Sequence, residues 1–171
     1  MSVSMYHAAV PTMVRGLENL AAVLDKASQQ IESKKYPPEA YINARLYPDM
    51  FPLAKQVQIA SDSAKGGCAR LAQAEIPAFE DTETTFAQLV ERVRKTITFL
   101  QSLKPEQFEG SETRTVTWKV RAGERSMQGQ PYLFTHVFPN FFFHCVTAYD
   151  ILRHNGVELG KMDFLGKPTS S

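Results

Sequence analysis

The chain has 171 residues, of which 43% are hydrophobic and 22% charged, and its formal net charge is +1. This composition predicts one soluble globular domain over residues 1–171, and the near-neutral charge argues against nucleic-acid or anionic-membrane partners, which bind strongly basic surfaces. No apolar run approaches the roughly 20 residues of a membrane-spanning helix, and the N-terminus lacks the features of a secretory signal, so we expect a cytoplasmic protein.

The first half of the chain predicts two long helices. From residue 4 to about residue 33, apolar side chains recur every three or four positions, as on one face of an amphipathic helix. A short helical turn is expected at about 39–45. The second long helix is expected over about 48–73, because Pro48 suits a first helical position. We interpret Gly66 and Gly67, inside this helix, as a close helix crossing or a kink.

A third helix and a hairpin follow. Asp81 or Thr82 can cap the free N–H groups of a helix whose apolar stripe runs over residues 86–103. Alternate residues from Val116 to Val120 are then apolar, which predicts a half-buried strand in a hairpin at about 112–129. Its charges favour a solvated strand edge over a surface for single-stranded nucleic acid, since one tryptophan is too few for base stacking.

The fourth helix is expected from Pro131 or Leu133 to His154, where Asn155-Gly156 is a strong stop signal. A tail over residues 157–171 should pack through Phe164 and Leu165. Four long amphipathic helices with one inserted hairpin predict a mainly all-α fold. We expect an antiparallel up-down four-helix bundle with a small β-hairpin before the last helix.

The last predicted helix carries three of the four histidines in the chain. At 100° per residue, His136 and His154 fall on the same side of the helix but about 27 Å apart, so they cannot share a metal ion. The pair spaced by four is Asn140 and His144. An amide oxygen is a poor partner for zinc beside an imidazole, although it suits harder cations.

The segments "LYPDMFPLAKQVQIASDSAK" and "FPNFFFHCVTAYDILRHNGVELGKMDFLG" resemble a bacterial family of unknown function inside the DinB/YfiT-like superfamily. The resemblance implies the same helical bundle over nearly the whole chain. In metal-binding members of the superfamily, the last helix supplies two histidines four residues apart and the second helix supplies a third. Here the pair falls on Asn140 and His144, and the second predicted helix has no histidine. The resemblance therefore implies the fold without the superfamily's metal site or its metal-dependent activities.

A different ligand set remains open. His7 on the first helix and Asp62 on the second could converge with His144 inside the bundle and hold a divalent metal such as zinc or nickel. The competing interpretation is a metal-free protein, in which His144 is a hydrogen-bonded core histidine and Asp62 pairs with a cation such as Lys65. In that case we expect no cofactor. A small-molecule site would then involve His7, Asp62, Asn140 and His144.

Phe141, Phe142 and Phe143 point in three directions around the last helix. A helix that is apolar on nearly all sides is central to a core or covered by a partner, which predicts a homodimer through faces near Phe141 and Phe142. The alternative is that the hairpin and the tail cover the same surface.

The function that the sequence favours is small-molecule binding or action as a dimer. The alternative is a metal-dependent hydrolase or thiol transferase with non-standard ligands around His144. A pure interaction module would instead present an exposed apolar patch and no enclosed pocket. Cys68 and Cys145 lie on separate predicted helices and form no disulfide framework, so we interpret both as buried thiols in a reducing compartment.

Overall fold

The computed structural model describes residues 3–120 and 123–167, so residues 121–122 of the predicted hairpin and the end of the predicted tail lie outside the described residues. A 3-10 turn lies at Pro105–Phe108 and a π-helix at Tyr132–Val137. In chain order, the other elements are α1 (Met5–Ser33), α2 (Pro38–Ile42), α3 (Leu53–Ala72), α4 (Phe86–Ser102), β1 (Thr115–Val120), β2 (Gly123–Gln128), α5 (Gly129–Pro131), α6 (Phe138–His154) and α7 (Lys161–Leu165).

The protein is mostly helical, with one small antiparallel sheet. Helix α1 packs against α4, α4 against α3, and α3 against α6, while α7 lies along α1. The apolar stripes face inward and are fully buried at positions such as Met13, Leu53, Leu89 and Ile151. Each such side chain stabilises the fold by about 1.5–3 kcal/mol. The short helices α5 and α7 add to the four predicted long ones. Within the described residues, no helix has both the length and the apolar character to cross a bilayer.

Helix α3 begins at Leu53, five residues after the predicted start at Pro48. The residue before a proline avoids the α region, and Pro52 therefore keeps Phe51 out of the helix. Phe51, expected on the buried stripe, is 54% exposed. The helix ends at Ala72, and Gln73 takes a left-handed conformation at its C-cap.

The cap of α4 also differs from the prediction. Thr85 is the N-cap, and its side chain accepts a hydrogen bond from the Gln88 amide while the Gln88 side chain accepts from the Thr85 amide. This reciprocal arrangement satisfies two free N–H groups. Asp81, one of the expected caps, instead pairs with Lys55 and Arg92, because the loop before α4 folds back over α3.

The predicted fourth helix is not one regular helix. One turn of α5 leads into the π-helix, and α6 begins only at Phe138. Pro139 has no N–H to donate to the carbonyl of Thr135, which disrupts the regular ladder at this point. Because a π-turn is wider than an α-turn, the 100° spacing that placed His136 in line with His154 does not hold. The expected stop is confirmed, since α6 ends at His154 and Gly156 has a φ of 85°.

The hairpin pairs β1 with β2 in an antiparallel register from Thr115 opposite Gln128 to Val120 opposite Gly123. Val116 and Trp118 are buried, as their alternation predicts, whereas β2 is mostly exposed. Through Trp118, the hairpin packs against Tyr132 and His136 of the π-helix, with ring centroids 4.7 Å from Trp118 in both cases. This contact brings β1 to the same region of the molecule as α3 and the last helix.

Candidate functional site

Two side-chain hydrogen bonds join α3 to α6. Nδ1 of His144 lies 2.6 Å from Oε1 of Gln56, and Nδ2 of Asn140 donates to Oγ of Ser63 at 2.6 Å. Gln56 and Ser63 are two turns apart on α3, while Asn140 and His144 are one turn apart on α6, so both pairs fall at the contact between the helices. The residues spaced by four therefore face α3, but each has its own partner there.

His144 is a neutral core histidine. It is 8% exposed, and burial lowers its pKa below the ordinary value of 6.5. The amide group of Gln56 donates from Nε2 to the Phe51 carbonyl at 2.9 Å, which turns Oε1 toward His144. Because that oxygen can only accept, Nδ1 of His144 carries the proton and Nε2 keeps its lone pair. This is the hydrogen-bonded arrangement that the metal-free interpretation predicts.

The residues between α3 and α6 do not fit the superfamily's metal. Its ligands would fall at Asn140 and His144 and on α3, where the side chains present are one imidazole, two amides and a hydroxyl. Zinc and nickel favour imidazole and thiolate, and His144 is the single imidazole among these four side chains. In the part of the chain that the structure describes, no three histidine, cysteine, aspartate or glutamate side chains are grouped so as to hold a metal ion.

The expected convergence of His7, Asp62 and His144 on a metal is therefore not formed. His7 is exposed in the first turn of α1, and its Nδ1 lies 2.7 Å from Oγ of Ser4, the helix cap. Asp62 is held by Lys65 and Arg92, each with a nitrogen 2.9 Å from Oδ1. His144 is buried and faces α3, whereas His7 is exposed and Asp62 is half-buried, each with its own partners.

Asp62 belongs to a charge-balanced cluster. The Arg92 side chain is 1% exposed and contacts carboxylate oxygens of Asp62, Asp81 and Glu83 at 2.9–3.0 Å. Burial alone would lower the pKa of Arg92, but these three carboxylates outweigh burial and raise it. Lys55 and Lys65 complete the cluster, which sets three cations against three carboxylates. The negative charge of Asp62 is therefore balanced by the positive charges of Lys65 and Arg92.

A cavity of about 240 Å³ lies beside Asp62, between α3, β1 and the last helix. We call it the Arg70 pocket. Two of the four residues predicted to bind a ligand, Asp62 and Asn140, line it, whereas His7 and His144 do not. The full lining consists of Ile59, Asp62, Ser63, Arg70, Trp118, Tyr132, His136, Val137 and Asn140.

The pocket combines a guanidinium with an aromatic wall. Nη1 of Arg70 donates to the Tyr132 hydroxyl at 3.3 Å. The rings of Tyr132 and His136 stack with centroids 5.6 Å apart, and Trp118 packs against both. Nε1 of Trp118 is buried, with no hydrogen-bond partner among the described residues. Such a donor is uncommon in native proteins, which satisfy nearly all buried polar atoms.

Two titratable side chains that line the Arg70 pocket, His136 and Tyr132, have shifted pKa values. Burial lowers the pKa of His136, and the charges of Arg125 and Arg70 lower it further. Burial raises the pKa of Tyr132 although Arg70 opposes that shift, so the phenol is neutral at physiological pH. The pocket thus contains a neutral imidazole, a neutral phenol, the guanidinium of Arg70 and the carboxylate of Asp62, which is paired with Lys65 and Arg92.

Sequence reasoning missed Arg70, Trp118 and Tyr132 as site residues. One local signal was available: a β-carbon added at Gly66 would lie 2.7 Å from Nη1 of Arg70, so the glycine makes room for the guanidinium one turn later. A β-carbon added at Gly67 would clash with Cγ1 of Val137, which agrees with the predicted close helix crossing. The aromatic partners come from distant segments and have no local signal.

Comparison with known proteins places the chain in context. The family described as "Domain of unknown function (DUF1993)" matches residues 5–165. The chain is also similar to the crystal structure of a DinB family member protein from Shewanella denitrificans, with a TM-score of 0.91 and 38% sequence identity. That similarity covers 98% of this chain and 94% of the other. No curated protein matches the chain.

Proposed function

Because the chain belongs to the DUF1993 family, which is defined only as a domain of unknown function, we propose its function from its own residues: it binds a small planar carboxylate in the Arg70 pocket. The observation that carries this proposal is the guanidinium of Arg70. It is half-buried, and its side-chain partner among the described residues is the uncharged Tyr132 hydroxyl. A cation in that position favours an anionic ligand, because partial burial strengthens the attraction.

The aromatic wall selects for a planar ligand. Trp118, Tyr132 and His136 present ring surface, and aromatic pairs gain about 0.5–1.5 kcal/mol beyond the area that they bury. Oδ1 of Asn140 remains an acceptor because Nδ2 is bound to Ser63, and the buried Nε1 of Trp118 has no partner among the described residues. These groups suit a ring that carries one anionic group and one further polar group, as in most small-molecule pockets.

Trp118 provides the test, because it is the single tryptophan of the chain and lines the pocket. Titration with benzoate should change its fluorescence saturably. Benzamide, which has the same shape without the charge, should bind at least about tenfold more weakly, since a hydrogen bond to a charged group is worth about 1.5–3 kcal/mol. Arg70→Gln should remove this preference.

Arg153→Gln is the matched control, because Arg153 is an exposed arginine in the last turn of α6. It should bind benzoate as the wild type does. The proposal fails if no saturable change in fluorescence is seen at millimolar benzoate. It also fails if Arg70→Gln, folded as judged by circular dichroism, still prefers benzoate to benzamide.

The alternative of a metal-dependent hydrolase or thiol transferase around His144 has no ligand set among the described residues.

The finer architecture also belongs to this proposal: one domain, organised as an antiparallel up-down four-helix bundle. The packing of α1 on α4, α4 on α3 and α3 on α6 supports it. The free, buried thiols of Cys68 and Cys145 support a reducing, cytoplasmic setting.

We also propose a homodimer, through an interface that differs from the one predicted near Phe141 and Phe142. Phe141 is completely buried against Gly16 inside the protomer, and Phe142 is half-buried, so the predicted faces are not free. Phe143 and Val146, one turn apart on α6, are 55% and 39% exposed. These two side chains support a dimer contact on the outer face of α6.

A further inference from the structure

A second cavity lies on another side of α6, where this helix faces α1. Its volume is about 220 Å³, and it is bounded by α1, α6 and the C-terminal helix α7. Direct contact between α1 and α6 is limited compared with the contacts of α1 with α4, α4 with α3 and α3 with α6, and α7 spans the resulting gap. The walls are mostly apolar, with Leu20 and Val23 from α1 and Phe142 and Cys145 from α6.

The C-terminal segment is held over this cavity mainly by polar contacts. Nη2 of Arg15 donates to the carbonyls of Leu165 and Lys167 at 2.9 and 2.7 Å, and Nδ2 of Asn19 donates to the Phe164 carbonyl at 3.0 Å. Lys26 adds an ion pair with Asp163 at 2.8 Å. None of the α7 residues is fully buried, and the apolar contact of the segment includes the partly buried Phe164, whose ring packs against Tyr149.

The cavity has an apolar body and one cationic rim residue. Arg15 is half-buried, lines the cavity, and forms no ion pair with a carboxylate within the described part of the chain. Its hydrogen bonds to the two carbonyl oxygens both come from Nη2, so Nη1 and Nε remain available as donors. The mostly apolar walls favour an apolar ligand, and a volume of about 220 Å³ corresponds to about seven water molecules at roughly 30 Å³ each.

From this arrangement we propose that the cavity binds a short aliphatic monocarboxylate, with its chain among Leu20, Val23 and Phe142 and its carboxylate at Arg15, under α7. The site is separate from the Arg70 pocket, shares no lining residue with it, and does not depend on the function proposed above. Burial raises the pKa of the Cys145 thiol to about 12, so Cys145 is a neutral wall of the cavity.

The test is a series of straight-chain carboxylates from butyrate to decanoate, titrated by calorimetry and followed by the NMR signals of the Leu20 and Val23 methyl groups. Affinity should rise about fourfold for each added methylene, the increment expected for burying that group. It should stop rising at the chain length that fills the cavity. Hexanoate should bind more tightly than 1-hexanol in the wild type, and Arg15→Gln should reduce that difference.

Two variants fill the cavity from opposite walls. Cys145→Met extends into it from α6 and Thr12→Phe from α1, and each should weaken hexanoate binding at least tenfold while Arg153→Gln leaves it unchanged. The proposal is overturned if the Leu20 and Val23 signals do not shift. Affinity that rises with chain length without a limit would indicate surface adsorption, and unchanged binding in both folded filling variants would also overturn it.

Discussion

At the scale of single residues, the chemistry of an imidazole depends on which atoms lie within hydrogen-bond distance. His144 is placed as the second member of a four-residue spacing, yet its Nδ1 is bound to Gln56 and burial keeps it neutral. Asn140, its partner in that spacing, is bound to Ser63. A histidine at position 140 could chelate with His144, whereas the carboxamide only joins two helices.

The neutral state of His144 predicts a pH dependence of stability. As the pH falls through 6.5, the unfolded chain takes up a proton that the folded chain does not, so the free energy of unfolding should decrease between about pH 7 and pH 5. His136, whose pKa is also lowered, acts in the same direction. In His144→Gln, urea denaturation across this range should give a shallower decrease.

The carboxyl groups with lowered pKa values, such as Asp81 and Asp163, do not interfere, because the stability that they add is lost only below about pH 4. A His144→Gln protein with the wild-type slope between pH 7 and pH 5 would show that this histidine takes up its proton alike in the folded and unfolded chains, contrary to the prediction.

At the scale of secondary-structure elements, two adjacent glycines in α3 have different roles. Gly66 leaves room for the guanidinium of Arg70, which is the end of a flexible side chain. Gly67 leaves room for Val137, a branched side chain that is 3% exposed in the π-helix. The first glycine therefore shapes the Arg70 pocket, and the second allows the last helix to approach α3.

Substituting each glycine with alanine should separate these roles. Gly66→Ala should change the free energy of unfolding by less than about 1 kcal/mol, because the gain in helix propensity offsets the displacement of Arg70. It should nevertheless weaken benzoate binding. Gly67→Ala should destabilise the protein by about 1–3 kcal/mol, the usual cost of overpacking a core.

Thermal denaturation of the two variants, which differ only by the position of one methyl group, provides the comparison. A loss of about 1 kcal/mol corresponds to about 2–4 °C in Tm for a protein of this size. Equal Tm values for the two variants would contradict the assignment of Gly67 to a close helix contact.

At the scale of the whole molecule, the three consecutive phenylalanines lie in three different environments. Phe141 is inside the protomer, Phe142 lines the cavity beneath α7, and Phe143 is 55% exposed. The tail covers part of the surface that the sequence assigned to a partner, through contact of Phe164 with Tyr149. What remains available for a partner is the outer face at Phe143 and Val146.

Light scattering at micromolar concentration should therefore give the mass of a dimer, and Phe143→Glu should give a monomer, because a buried carboxylate would face the partner copy. Phe51→Glu is the matched control, since Phe51 is 54% exposed but lies before α3. A wild-type protein that is monomeric at tens of micromolar would contradict the dimer, and dissociation caused equally by both substitutions would place the interface elsewhere.

The sequence by itself determined the long helices and the hairpin, because helical and strand periodicities are local and each apolar stripe lies within its own segment. The family followed from the resemblance of two segments of the sequence to known members. The sequence also predicted that Asn140 breaks the metal-binding spacing. Only the tertiary structure decided the π-helix before Pro139, the position of α7, and the meeting of Arg70 with Trp118 and Tyr132. The reason is physical: Arg70 and Tyr132 are 62 residues apart, and their contact depends on packing between elements that no local pattern encodes.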